Sequence, residues 1–153
     1  SYTTRAPRPG ERDGVDYHFV KFKDFTDMIA RKEFLEHAQV FDRYYGTGAP
    51  ATEDSLRSGI YVFLDIDWQG ARQVRERHPD ALSIFIKPPS LEELEKRLRA
   101  RGQDNEETIR RRMQEAETEM SHAGEFDHVL VNDDFGQTVD RLEALVAPKA
   151  RLS

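Results

Sequence analysis

The sequence predicts an α/β domain with a parallel-sheet core, an inserted mixed α+β lobe and a helical arm. Residues 60–64 form an apolar run rich in β-branched and aromatic side chains, which is typical of a strand buried on both faces. Downstream of this run, strand-like and helical patterns alternate, which favours right-handed crossovers in a parallel sheet. Upstream, residues 1–48 mix short strand and helix patterns, which indicates a separate small lobe.

The lobe begins with a stiff basic loop. Arg5 and Arg8 stand three residues apart among Pro7, Pro9 and Gly10. Proline fixes its own φ and restricts the residue before it, so the loop loses little entropy when it presents both guanidinium groups to one anion. The alternative interpretation is an ordinary solvated basic loop.

The rest of the lobe has two predicted strands around a helix. Periodicity predicts strands over residues 14–20 and 33–40 and a helix over residues 22–31. In the second strand, alternation places Phe34, Glu36 and Ala38 on one face. Glu36 is therefore either a charge at a strand edge or an acceptor directed into a site. Residues 43–48, which contain two tyrosines and a threonine, are predicted to form a tight turn.

The centre of the predicted core is the segment 60–70. Asp65 and Asp67 follow its apolar run at period-two spacing, so they share one face of the predicted strand before a turn at Gly70. Ligands of open α/β sheets bind beyond the carboxyl ends of the strands, which makes these acids candidates for chemistry. The alternative is that the acids end the strand and cap the next helix.

Further strands and helices complete the predicted core. Strands are predicted over residues 81–86 and 126–132, and helices over 50–58, 71–77, 91–101, 106–123 and 137–146. Ser90 and Glu93 form a capping box for the helix that starts at residue 91. Arginines on two helices around Gly102 resemble an arm that closes over phosphates. A solvated helical hairpin with i,i+4 ion pairs is the alternative.

Composition and charge exclude several classes of function. Because cysteine is absent, neither disulfides nor thiolate chemistry contribute, which fits a cytoplasmic protein. No apolar run approaches the roughly 20 residues that span a bilayer, and no signal peptide is recognisable. The net charge of −6 argues against a general nucleic-acid binder, whereas local arginine clusters suit a small anionic ligand. The five histidines show no metal-binding spacing, so no metal site is predicted.

Collinear motifs along nearly the whole chain resemble the guanylate kinase family, most closely its bacterial members. The motifs are residues 1–11, Asp16-Tyr17, residues 33–36, residues 44–47, residues 64–70, residues 101–104 and residues 131–134. The resemblance implies a P-loop kinase-like core and phosphoryl transfer from Mg-ATP to GMP, giving ADP and GDP in purine nucleotide metabolism. It implies GMP and ATP as partners, with Mg²⁺ accompanying ATP, and no nucleic acid or membrane partner. A homo-oligomer is compatible with it.

The resemblance also implies an organisation and a set of site residues. It divides one guanylate-kinase-like domain into a GMP-binding lobe (1–48), core strands and helices (49–95), a lid (96–122) and the C-terminal part of the core (123–153). It assigns the GMP phosphate to Ser1, Arg5, Arg8, Tyr17 and Tyr45, and the guanine side to Glu36, Thr47 and Asp67. It assigns catalysis to Arg5, Arg101 and Arg112, and the ATP side to Arg101 and Asn132. Glu36 would accept both donors of the guanine edge and disfavour adenine.

One family feature is missing from the 153 residues. The phosphate-loop pattern Gly-x-x-x-x-Gly-Lys-Ser/Thr does not occur, and none of the lysines follows a glycine. In the family this loop precedes the segment that begins here at Ser1, so we expect it to lie before Ser1 and expect the chain alone to transfer phosphoryl groups poorly. Residues 48–50 also depart from the family, which usually has a serine and a longer polar or basic residue there. A catalytically inactive guanylate-kinase-like interaction module and a basic-arm nucleic-acid binder are the competing interpretations.

Overall fold

The computed structural model describes residues 1–150, with side chains up to residue 147, and these residues form two compact units. The first unit comprises Ser1–Ala81 and the second begins at Leu82. The last three residues of the predicted segment 123–153 lie outside the described residues. Within residues 1–150, every helix is too short or too polar to cross a membrane.

The described part of the first unit contains a four-stranded mixed sheet. Its strands are β1 (Tyr2–Thr3), β2 (His18–Phe19), β3 (Phe34–Val40) and β4 (Arg43–Gly48), and its helices are α1 (Phe22–Ala30), α2 (Ala49–Arg57) and α3 (Trp68–Arg77). The strand order is β2-β1-β4-β3, with β1 parallel to β2 and the other pairs antiparallel. The predicted strand over 33–40 and the helices over 22–31, 50–58 and 71–77 are confirmed, whereas the predicted strand over 14–20 shrinks to two residues.

The prediction of a tight turn over residues 43–48 is wrong. This segment is strand β4, because its backbone pairs with β3 on one side and with β1 on the other. The alternation predicted for β3 is also interrupted, since the pairing register shifts between Phe34 and Glu36. Phe34 consequently packs in the aromatic core of the unit, whereas Glu36 contacts Thr47.

The core of the first unit lies between α1 and the sheet. Phe25 and Phe34 are both buried, and their rings stack with centroids 4.5 Å apart. Gly46 of β4 lies directly against this pair, because a methyl group placed there would come within 2.8 Å of Phe34 Cδ1. The absence of a side chain at Gly46 therefore lets the Phe34 ring lie on the strand.

Helix α3 covers the exposed edge of β3. The Gln73 side chain accepts a hydrogen bond from the His37 N–H (3.0 Å) and donates one to the His37 carbonyl (2.7 Å). One turn later, the Arg77 guanidinium donates to the Phe34 carbonyl (2.6 Å). The helix side chains thus satisfy backbone groups that would otherwise be open to another strand.

The predicted central strand over residues 60–64 is wrong. The segment connects α2 to α3 without regular structure, and Ile60 and Phe63 are 57% and 72% exposed. A strand exists only when its backbone pairs with a neighbour, and within residues 1–150 no strand pairs with this segment. Asp67 instead caps α3, since its Oδ1 accepts from the Gly70 N–H (2.8 Å), which is the alternative interpretation of that acid.

The second unit contains a two-stranded parallel sheet among its described residues. Its elements are β5 (Ile84–Lys87), α4 (Leu91–Arg101), α5 (Glu106–Ser121), β6 (His128–Val131) and α6 (Phe135–Ala150), with a 3₁₀ turn at Ala123–Glu125 before β6. The predicted strands and helices are present with shifted ends, and β5 and β6 pair in parallel, as the prediction of a parallel sheet requires. The Ser90 hydroxyl accepts from the Glu93 N–H (3.1 Å), and Gly102 ends α4 with φ of 62°.

We expect Gly46→Ala to destabilise the first unit. The added methyl group would overlap the buried Phe34 ring, and overpacking of this kind costs about 1–3 kcal/mol of unfolding free energy. Chemical denaturation of the variant measures the loss. Gly124→Ala is the control, because its new methyl group meets no atom within 4 Å. Equal stability of Gly46→Ala and the parent would contradict the packing described for Phe34.

Candidate functional site

The three residues that the resemblance assigns to the guanine side lie together in the first unit. Glu36 and Thr47 face each other across β3 and β4, and the Thr47 hydroxyl donates a 2.6 Å hydrogen bond to Glu36 Oε1. Both side chains are buried, with Glu36 only 4% exposed. Asp67 is close enough to act electrostatically on Glu36. The sheet and the start of α3 therefore enclose the Glu36 carboxylate.

Gly70 forms the wall on which the Glu36 carboxylate lies. It is buried in the first turn of α3, and a methyl group placed there would come within 2.5 Å of Glu36 Oε2. Only a glycine lets the helix approach the carboxylate this closely. Sequence reasoning interprets Gly70 only as a turn; its position directly before a helical pattern is the available signal of a close contact.

Burial changes the protonation of Glu36. Removal of its carboxyl from water raises the pKa above the ordinary value, and the neighbouring Asp67 carboxylate raises it further. The hydrogen bond from Thr47 opposes both effects, because it stabilises the charged form. A buried acid beside another acid is costly unless donors are supplied to it, which is typical of functional sites.

Arg5, Tyr17 and Tyr45 form a second cluster in the same unit. The Arg5 guanidinium makes two 2.8 Å hydrogen bonds to the Glu11 carboxylate, and its central carbon lies 5.6 Å from the Tyr17 ring centroid. The Tyr17 and Tyr45 rings are 6.3 Å apart in an edge arrangement. Glu11, and to a lesser extent the nearby Tyr45, raises the pKa of Arg5 above its ordinary value. The cluster is a fixed cation surrounded by phenol groups.

Glu11 ties the two arginines of the N-terminal loop together. Its carboxylate accepts from the Arg5 side chain and also from the Arg8 backbone N–H (2.6 Å). These bonds lower the pKa of Glu11 to about 2. The Arg8 side chain is exposed on this loop. Ser1 precedes β1, and its carbonyl accepts a hydrogen bond from the His18 N–H (2.8 Å). Sequence reasoning missed Glu11, although an acid that follows two arginines was a visible signal.

Strand β4 links the two clusters. Tyr45 and Thr47 are two residues apart on it, so their side chains project from one face, roughly 7 Å apart along the strand. One face of the sheet therefore presents a cationic, hydroxyl-rich cluster beside a buried hydrogen-bond acceptor. This arrangement suits a ligand that carries an anion at one end and N–H donors at the other.

Arg101, Arg112 and Asn132 lie in the second unit. Arg101 ends α4 and donates to the Gln103 side chain (3.0 Å), while Arg112 Nε lies 3.3 Å from Asp104 Oδ2. Asn132 follows β6 directly, and its Oδ1 accepts from the Thr138 hydroxyl (3.3 Å). The two arginines thus flank the loop between α4 and α5.

The alternative interpretation of this arm as a hairpin with ion pairs is also visible. Arg97 pairs with Glu93, and Arg99 with Glu95, each at i,i+4 spacing on α4. These pairs are solvent-exposed, so they add little stability. They occupy arginines other than Arg101 and Arg112.

We expect the stability of Glu36→Gln to improve relative to the parent as pH rises. Because the folded-state pKa of Glu36 lies above its ordinary value of 4.5, the folded protein holds this proton more tightly than the unfolded chain. The resulting stabilisation is complete at low pH and is lost as pH rises through the folded pKa. Glutamine cannot undergo this loss. Urea denaturation of both proteins at a series of pH values measures the difference.

Glu33→Gln is the matched control for this experiment. Its carboxylate pairs with Arg31, which lowers the pKa of Glu33, so the sign of the effect is reversed. The Glu33→Gln variant should lose stability relative to the parent as pH rises through the acidic range. A flat or falling relative stability of Glu36→Gln would contradict the burial of a carboxyl group at this position.

Comparisons with known proteins identify the family. A family model described as guanylate kinase matches residues 1–149. The chain is 57% identical to a guanylate kinase of Photobacterium profundum over 146 residues, covering 95% of this chain and 70% of the relative. It is 55% identical to a guanylate kinase of Salmonella choleraesuis, covering 100% of this chain and 74% of the relative.

The fold agrees with a solved structure of the same family. The crystal structure of guanylate kinase from Anaplasma phagocytophilum superposes with a TM-score of 0.82 at 37% identity, covering 97% of this chain and 73% of that one. An α/β fold with mixed sheets and helices is therefore shown by comparison as well as by the strands and helices described above. The matched residues, the sequence identity and the shared fold together show that the chain belongs to the guanylate kinase family.

Proposed function

We propose that the first unit binds GMP as the acceptor in phosphoryl transfer from Mg-ATP, which gives ADP and GDP. The observation that carries this proposal is the buried carboxylate of Glu36, held by Thr47 and placed beside Asp67. Membership of the guanylate kinase family supports the same substrates. With these nucleotides as substrates, the chain would work in purine nucleotide metabolism in the cytoplasm.

Guanine supplies the donors that the Glu36 carboxylate needs. Its N1–H and its 2-amino group lie side by side, and an ionised carboxylate accepts from both. Adenine presents an acceptor at N1, so it would leave the buried carboxylate unpaired and facing a lone pair. Thr47 holds one carboxylate oxygen in place, and Asp67 is the second acid assigned to the guanine side.

The phosphate of GMP would bind at the Arg5 cluster. A guanidinium carries more N–H donors than the Glu11 carboxylate engages, so a phosphate and Glu11 can share Arg5. The hydroxyls of Tyr17 and Tyr45 add donors, and we assign Arg8 and Ser1 to the same phosphate. Glu11 would keep the Arg5 fork oriented before the phosphate arrives, which lowers the entropy lost on binding.

The second unit would supply the remaining charge neutralisation. We assign Arg101 and Arg112 to the transferring phosphates and Asn132 to the adenine side of ATP. Within this proposal residues 1–48 are the GMP-binding lobe and 96–122 the lid, joined by core segments 49–95 and 123–153. Guanidinium groups stabilise the charge that develops on the transferred phosphoryl group, and one such arginine contributes roughly 10³–10⁵ in rate in related chemistry.

The residues that the structure describes do not by themselves form a site for Mg²⁺. In the described part of the chain there is no group of three or more His, Asp or Glu side chains that could hold a metal ion. The 153 residues also lack the phosphate-loop pattern that serves the ATP phosphates and the ion. The roles proposed for these residues therefore do not involve Mg²⁺. The second candidate is a guanylate-kinase-like module that binds GMP without turnover.

A coupled assay of ADP release separates the two candidates. The chain would be incubated with Mg-ATP and GMP, with AMP as the control acceptor. GMP-dependent turnover supports the kinase, whereas calorimetric binding of GMP without turnover supports the binding module. A chain that neither binds GMP nor turns it over would contradict both candidates.

Replacement of Glu36 should abolish the preference for guanine. In Glu36→Gln one acceptor becomes a donor that opposes the base, and an unmatched charged hydrogen bond of this kind lowers GMP affinity by roughly 10- to 100-fold. Affinity for AMP should change little, because AMP does not use the carboxylate. Calorimetry with both nucleotides gives the ratio of GMP affinity to AMP affinity. The partly exposed Glu33→Gln is the control, and an unchanged ratio of GMP to AMP affinity in Glu36→Gln would refute the role of this acid.

Replacement of Arg5 should weaken GMP but not guanosine. Lysine keeps the charge and loses the bidentate fork, so we expect about tenfold weaker GMP binding in Arg5→Lys. Guanosine lacks the phosphate, so its affinity should stay the same. Arg31→Lys provides the control, because Arg31 also forms an ion pair but lies outside the site. An equal loss for guanosine and GMP would place Arg5 away from the phosphate.

A further inference from the structure

We propose that Gln73 is a positioning residue that fixes Glu36 for guanine recognition. The inference rests on the proposed function, since it assigns a role at the same site. The Gln73 amide is directed to the backbone of His37, the residue that follows Glu36. Selectivity for the base would therefore depend on a side chain that does not contact it.

The Gln73 amide binds β3 as a neighbouring strand would. It accepts from the His37 N–H at 3.0 Å and donates to the His37 carbonyl at 2.7 Å, so both backbone groups of one residue are engaged. A pair of reciprocal bonds of this kind sets the position of a residue along and across the strand. On the other side of Glu36, Arg77 holds the Phe34 carbonyl at 2.6 Å. The backbone is thus attached to α3 on both sides of Glu36, at Phe34 and at His37.

The attachment of β3 to α3 through Gln73 and Arg77 is needed because β3 is irregular at this point. Its pairing register with β4 shifts between Phe34 and Glu36, so the sheet alone constrains this part of the strand less than a regular ladder would. The attachment to α3 replaces that constraint. Without the two Gln73 bonds, the backbone next to Glu36 would be held from one side only.

The same helix face also fixes the Glu36 side chain. Gly70 lies three residues before Gln73, which places both on one face of α3. The Glu36 carboxylate lies against Gly70 so closely that a methyl group there would overlap it. Helix α3 therefore controls the backbone beside Glu36 through Gln73 and the carboxylate through Gly70. A small shift of the helix would move the acceptor relative to the base.

A Gln73→Met variant tests this role. Methionine keeps the length and the apolar stem of glutamine and removes both hydrogen bonds to His37. We expect the ratio of GMP to AMP affinity to fall at least about fivefold, since each lost hydrogen bond contributes on the order of a several-fold factor. Gln39→Met is the matched control, because it makes the same substitution on strand β3, at an exposed side chain that donates to the nearby Phe41 carbonyl. Its ratio should match the parent.

Introducing Gln73→Met into the Glu36→Gln variant separates a positioning role of Gln73 from a purely structural one. If Gln73 acts through Glu36, Gln73→Met should change the affinity ratio in the parent and leave it unchanged in Glu36→Gln. A purely structural role would lower the melting temperature and keep the ratio, and that result overturns the inference. Gln73→Asn, which keeps the amide but is one methylene too short, serves if the methionine variant does not fold.

The failure of this inference can be told from failure of the proposed function. If Glu36→Gln loses selectivity and Gln73→Met keeps it, Gln73 is not a positioning residue and the assignment of Glu36 stands. If Glu36→Gln itself keeps the parent's selectivity, both the guanine role of Glu36 and the inference about Gln73 are overturned.

Discussion

The hydrogen bond between Thr47 and the buried Glu36 carboxylate is the interaction on which the site depends. Strands β3 and β4 each supply one partner, and Gly70 of α3 closes the remaining side. Removing a carboxylate from water and placing it beside Asp67 is unfavourable, and the raised pKa of Glu36 reflects that cost. A ligand that donates hydrogen bonds to this carboxylate offsets the cost, because a buried acceptor that loses its donor discriminates strongly between bases.

The sequence predicts the fold best where local chemistry decides. Ser90 and Gly102 mark the ends of α4 because capping and left-handed backbone depend on neighbouring residues alone. The apolar run at 60–64 fails as a strand predictor for a different reason. Its apolar composition indicates only that the side chains favour burial. A strand also needs a hydrogen-bonded neighbouring strand, and among the described residues this segment has none.

The site is predicted by resemblance more than by pattern. Motifs single out Glu36 and Thr47, and the structure brings these two into direct contact. Periodicity alone does not distinguish Glu36 from a charge at a strand edge. Gly70 and Gln73 escape prediction because their importance lies in the distance between α3 and β3, which no local pattern contains. Within a charged helix, Gln73 resembles any solvated polar residue.

A calorimetric comparison of three nucleotides on the unaltered chain tests the central claim most directly. GMP presents both donors to the Glu36 carboxylate, inosine monophosphate lacks the 2-amino donor, and AMP replaces N1–H with an acceptor. If the buried carboxylate reads the base, affinity should fall in that order, with roughly a tenfold loss for the missing amino group. Equal affinity for all three nucleotides would show that the Glu36 carboxylate does not contact the base, and the account given for the site would be wrong.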